Sequence, residues 1–156
     1  FLASLPRVPW CHSLHFRSRG VRRFAFRGQH GVSGAQSAPS GNRNVQAHIP
    51  WGSGVTGDIY FDTAGCCKVG ETRIHKAWGG DYSQWHHFAF IKDGDHKTIW
   101  IDGELFHEGE NTRPLFDDWT VAAIGSNSTG GSNVDGIVDE FGVWARGLDE
   151  GEIASI

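Results

Sequence analysis

From Asn44 onward, apolar and polar positions alternate with a period near two, in short stretches divided by glycine-rich turns. Val45, Ala47 and Ile49 alternate with Asn44, Gln46 and His48. Pro50-Trp51-Gly52-Ser53-Gly54 then turns the chain and Asp58 to Asp62 continues it, which reads as a hairpin. Thr72 to Lys76 reads as a further short strand. The strongest run is Trp85 to Lys92, with Trp85, His87, Ala89 and Ile91 on one face and His86, Phe88 and Phe90 on the other. Asp93-Gly94-Asp95 is a turn, Lys97 to Asp102 returns as the partner strand, and Gly103 turns again into Glu104 to His107. Trp119 to Gly125 and Gly136 to Ala145 supply two more strands. A strand every 8–12 residues or so, with a turn between neighbours, predicts an all-β antiparallel two-sheet sandwich. One short helical turn is expected at Leu148 to Ile153, after Gly147 and with acids in its first turn, where they suit the helix dipole.

Composition agrees with a turn-rich β architecture. Glycine contributes 22 of 156 residues without forming a repeat, about twice the usual share of about 7%. The length is that of one domain. No run of about 18 apolar residues exists, so no membrane-spanning helix is expected. The chain has no Met and reads as an internal or processed piece of a longer protein. Charge is split. Residues 1–57 carry seven Arg and no acid, whereas residues 58–156 hold seven Lys and Arg against all 18 acids. A basic arm on an acidic body is compatible with nucleic-acid or membrane contact, but asymmetry alone is weak evidence, and no nucleic-acid partner is expected. Residues 1–30 show little clean alternation and a scatter of Pro, Arg and His. They read as a disordered, truncated or mis-framed segment apart from the fold, and residues 31–156 as the domain, incomplete at its N-terminal end. The opening FLASLPRVPW lacks the basic-then-apolar order of a signal peptide.

Five motifs in order carry a resemblance over about residues 43–156. They are Trp85-His86-His87-Phe88-Ala89-Phe90, Ile99-Trp100-Ile101-Asp102-Gly103-Glu104-Leu105, Ala123-Ile124-Gly125, Gly136 to Trp144, and Arg146 to Ile153. With Asn44 to Asp62, they resemble the bacterial branch of the laminin-G-like, concanavalin A-like lectin/glucanase jelly-roll family. Val21 to Arg27 resembles the aromatic strand that leads into the hairpin in such domains. The resemblance implies a jelly-roll sandwich serving as a non-catalytic carbohydrate-binding or adhesion module of a larger extracellular or cell-surface protein. Its implied partner is a carbohydrate or glycoprotein. Two alternatives stay open: a fragment of a glycoside hydrolase of the same fold, and a protein-interaction module.

The individual residues narrow these readings. Asp102-Gly103 suits a tight hairpin turn, because Gly adopts φ > 0 without steric cost. Trp85, Trp100 and Trp144 fall at strand positions and read as core plates between the sheets rather than ligand platforms. His86 and His87 are neighbours on a strand, point to opposite faces and cannot chelate one ion together. A glycosidase needs two carboxylates flanking the bond. The E-x-D-x-x-E glucanase pattern is absent, and Asp58 with Asp62, like Glu108 with Glu110, reads as solvated rim charge. A saccharide platform belongs in a loop, where aromatic faces meet hydrogen-bonding groups. Trp51, Trp78, Asp81, Tyr82 and Trp119 meet that test, with the Ala77 to Tyr82 loop first. The oxygen-rich stretch from Ser126 to Asp135 and Asp139 reads either as a solvated loop or, as the resemblance implies, as a structural calcium site with Asn133, Asp135 and Asp139 as ligands. Of three cysteines, Cys66 or Cys67 has Cys11, its vicinal neighbour or a cysteine beyond this chain as possible partner.

Overall fold

The computed structural model describes residues 12–19, 32–33, 44–51, 57–65, 67–116, 123–126 and 137–156. The strands in chain order are β1 (His12–Arg19), β2 (Val32–Ser33), β3 (Val45–Trp51), β4 (Asp58–Thr63), β5 (Arg73–Ala77), β6 (Trp85–Asp93), β7 (His96–Ile101), β8 (Glu104–Glu110) and β9 (Ile137–Trp144), followed by helix α1 (Glu150–Ser155). They form a five-stranded sheet in the order β8-β7-β6-β1-β9 and a four-stranded sheet in the order β2-β3-β4-β5, with every pairing antiparallel.

The alternation explains how the sheets pack. Val45, Ala47, Ile49, Ile59, Phe61 and Ile74 of the four-stranded sheet meet Phe88, Phe90, Ile99 and Ile101 of the five-stranded sheet in one buried cluster. The Phe61 and Phe90 rings lie 5.4 Å apart. Full burial of such a side chain stabilises by about 1.5–3 kcal/mol.

The other parity of β6 is also apolar. Ala89 and Ile91 form a second cluster with Leu148 and Ile153, flanked by Trp100, Trp144 and Ile156. Trp100 and Trp144 are therefore not plates between the sheets. They lie on the outer face of the five-stranded sheet, where the C-terminal segment covers it, and Trp85 is 40% exposed. The helix that covers this face starts two residues later than expected. Asp149 is its N-cap, accepting from the Glu152 amide at 2.8 Å, while the Glu152 carboxylate accepts from the Asp149 amide at 3.0 Å. Arg146 also holds Glu152, and together these contacts bring its carboxyl down to about 2.

Two further differences from the sequence reading concern strands. Residues 12–19, set apart with the arm, pair with both β6 and β9. Leu14 and Phe16 do alternate with polar neighbours, but the His and Arg residues around them mask the period. Trp51, expected in a turn, ends β3. The ladder slips between His48 and Trp51, at Pro50, which has no amide to donate. Val21 to Arg27 and Trp119 to Ala122 lie outside the described residues, and residues 123–126 form no strand. Among the described residues, no helix is long and apolar enough to cross a membrane.

Candidate functional site

The β7–β8 turn anchors one end of the sandwich. Asp102 has φ 53° and Gly103 φ 82°, the left-handed pair that a two-residue hairpin demands and that glycine tolerates best. Asp102 is tied to β6 through three contacts. Its amide donates to the His87 carbonyl at 2.8 Å, its Oδ1 accepts from the His87 amide at 2.8 Å, and its Oδ2 lies 2.7 Å from His86 Nδ1. Half of the carboxylate remains exposed.

Two hollows open on either side of this turn and share Asp102 and Glu104. The larger, about 850 Å³, runs from Trp85, His86 and His87 past Glu140 to the end of α1. The smaller, about 460 Å³, is lined by Lys76, Trp78, Leu105 and Phe106. Carboxylates at the shared rim and apolar or aromatic walls are the combination that sugars need, since hydroxyls donate to the former and ring faces stack on the latter. Glu140 reaches the larger hollow from a bulge. β9 advances from Asp139 to Gly142 while β1 advances from Arg17 to His15, and Glu140 takes φ 53°. A bulge of this kind re-aims a side chain. In register, β1 sets Arg17 and Arg19 opposite His87 and Trp85.

The Ala77 to Tyr82 loop borders the smaller hollow. The Trp78 ring stands edge-on to Tyr82, His86 and Phe88 at 4.6, 4.9 and 5.6 Å. It also lies over its own loop, where a Cβ on Gly80 would meet the indole at 2.0 Å, so this position needs glycine. Asp81 is exposed and accepts from the Ser83 amide at 2.9 Å, and the Ser83 contacts hold its carboxyl below the usual range. Tyr82 is 6% exposed, so its ring supports Trp78 from the core side, and burial pushes its hydroxyl up.

The remaining sequence candidates are more scattered. Trp51 stands at the end of β3 opposite Asp58. Trp119, Asn133 and Asp135 lie outside the described residues, and Asp139 pairs in register with Arg17. Among the described residues, no three His, Cys, Asp or Glu cluster as metal ligands. Cys67 is disulfide-bonded, while Cys11 and Cys66 lie outside the described residues.

The acids read as rim charge divide. Glu108 is exposed and pairs with His96 at 3.2 Å. Asp62 instead is fully buried and accepts from Arg73 Nε and Nη2, both at 2.6 Å. That corrects the expectation of a solvated charge, and a carboxylate held this way is occupied. The pair belongs to a row that sequence reasoning missed. On the outer face of the four-stranded sheet, Arg73 lies 4.2 Å over the Tyr60 ring, His75 stacks on that ring at 4.8 Å, and Asp58 bonds His75 at 2.7 Å. Both faces of Tyr60 are thus taken. The period-two pattern marks these residues as sharing a face, but only the β4–β5 register brings them into contact.

A model of the concanavalin A-like lectin/glucanases superfamily, Laminin_G_3, matches residues 68–154, more than half of the chain. No curated protein matches. Among solved structures, domain 4 of AbnA, a GH43 extracellular arabinanase from Geobacillus stearothermophilus in complex with arabinotriose, superposes with a TM-score of 0.61 at 16% identity, covering 92% of this chain and 65% of that one. NanB solved with Optactamide gives 0.66 at 13% identity, covering 94% and 24%. The ligand binding domain of botulinum neurotoxin serotype D, in complex with N-acetylneuraminic acid, gives 0.60 at 11% identity, covering 95% and 36%. The chain thus spans less than two thirds of each of these structures.

Proposed function

We propose that the chain, which belongs to the concanavalin A-like lectin/glucanases superfamily, is a non-catalytic carbohydrate-binding or adhesion module of a larger extracellular or cell-surface protein. The observation that carries this reading is the pair of hollows sharing the Asp102 and Glu104 carboxylates, with Trp85 on one side and Trp78 on the other. Saccharide-bound structures among the similar folds support it, although fold alone does not assign a ligand. In this reading the exposed face of Trp85 stacks on a sugar ring, Asp102 and Glu104 accept from hydroxyls, and Trp78 and Asp81 form the second wall.

A glycan-array screen of the full chain, run in calcium, tests the proposal. The expected result is a saccharide signal that falls at least roughly tenfold in Trp85→Ala, the loss of about 1–3 kcal/mol that one stacked ring contributes. Silence across a broad array from protein shown to be folded would favour an interaction module instead.

A further inference from the structure

β8 bulges where it borders the smaller hollow. As β7 advances one residue, from Ile99 to Trp100, its partner positions on β8 change by two, from His107 to Leu105. Neighbours on a regular strand point to opposite faces. A bulge re-aims one of them, and here both Leu105 and Phe106 line the hollow. Leu105 is 46% exposed, and Trp78 adds a further apolar wall.

The polar groups of this hollow carry both signs. Lys76 Nζ lies 4.9 Å over the Phe106 ring and donates to the Phe106 carbonyl at 3.2 Å. An ammonium has three N–H donors, and among the described residues that carbonyl takes one of them. The acceptors are Glu104, which is exposed, and Asp102, whose two oxygens already meet His86 and His87.

We infer that the smaller hollow holds the acetamido group of an N-acetylated sugar, which makes N-acetylated saccharides the preferred ligand class. The inference rests on the saccharide reading above and names its substrate. The acetamido carbonyl accepts from Lys76 Nζ, its N–H donates to the Glu104 carboxylate, and its methyl packs on Leu105 and Trp78. Charged substituents fit less well. A sugar carboxylate paired with Lys76 would stand among two like charges, and an amino group paired with Glu104 would share the hollow with the Lys76 cation. A hydroxyl reaches one partner and leaves the apolar wall uncovered. The neutral amide presents an acceptor, a donor and an apolar end in one planar group.

The test is an NMR titration of the full chain with two matched sets of sugars. One is tri-N-acetylchitotriose, its fully deacetylated trimer and cellotriose; the other is N-acetylgalactosamine, galactosamine and galactose. In at least one set the acetamido member is expected to bind roughly tenfold or more tightly than either counterpart. Lys76→Met keeps the stem without the donor, and Leu105→Ser removes the apolar wall. Each is expected to bring that ratio down to roughly threefold or less. Both positions are exposed, so both variants are expected to fold. Equal affinities within both sets overturn the assignment, as does a preference for the amino or hydroxyl member, or a ratio that both variants leave intact. Binding of cellotriose, galactose or another array saccharide without an acetamido preference defeats this assignment alone. Absence of binding to every saccharide on the array defeats the carbohydrate reading with it.

Discussion

Replacing Asp62 with alanine is expected to cost about 3–5 kcal/mol of folding stability, the penalty for breaking a buried ion pair from one side. The Asp62 side chain is completely inaccessible and Arg73 retains only 15% exposure. Two hydrogen bonds of 2.6 Å join them. Alanine takes a two-bond carboxylate partner away from a largely buried guanidinium held over the Tyr60 ring, which is why the loss exceeds the 0–1 kcal/mol or so of an exposed pair. Urea denaturation of the single variant gives the cost directly. Pairing it with Arg73→Met removes the charge that Asp62 neutralises, so the double variant is expected to recover much of the loss. Equal losses in the single and double variants would place the effect in packing rather than charge.

The second large effect is a rise in stability with pH above neutrality, caused by Lys97. Its side chain points into the space between the sheets and is fully buried. Nζ donates to the carbonyls of Phe61 at 2.5 Å and Thr72 at 3.1 Å and lies 4.4 Å over the Phe61 ring. Burial pushes the ammonium down from 10.5 to about 7; the Asp62 charge opposes that shift, and Lys92 and Arg73 add to it. Below about pH 7 the lysine is charged in both the folded and unfolded states, and the burial penalty is fully present. Between about pH 7 and 10.5 the unfolded chain holds the proton more tightly than the folded one. Stability therefore rises with pH across that window, by up to on the order of 1 kcal/mol per pH unit. Denaturation midpoints of wild type and Lys97→Met between neutral and alkaline pH isolate this contribution from other titrating groups. Wild type is expected to gain relative to the variant as pH rises, and parallel curves would contradict the assignment.

Local signals with a backbone mechanism were the legible part of the fold. The Asp102-Gly103 turn, the β6–β7 hairpin around Gly94 and the acid-rich start of α1 follow from which residues tolerate positive φ and which stabilise a helix N-terminus. Alternation also sorted β6 correctly into two faces, but it does not say which face is inner. Phe88 and Phe90 meet the opposite sheet, while Ala89 and Ile91 meet the C-terminal segment. Because both faces are apolar, Trp100 and Trp144 were assigned to the wrong layer. β1 was hidden for a related reason: its pairing with β6 and β9 uses backbone groups that any side chain permits. Asp62 and Arg73 stand 11 residues apart, and only strand register makes them partners.

The candidate site was legible as a region rather than as a constellation. The Ala77 to Tyr82 loop borders one hollow, as a loop rich in aromatics suggests. Tyr82, however, faces the core, and the exposed aromatic beside the larger hollow is Trp85, a strand residue whose alternation pattern marks a sheet face rather than a loop. Asp102 and Glu104 were seen as turn and strand positions, and their shared rim exists only because the turn folds back between Trp78 and Trp85.

The most direct test is amide and indole chemical-shift mapping with a saccharide taken from the array. The account predicts that the largest shifts fall on Trp85, His86 and Asp102 to Glu104, with smaller ones on Trp78 and Asp81. Shifts centred instead on Asp58, Tyr60 and His75, with Trp85 unmoved, would contradict it and place the binding face on the other sheet.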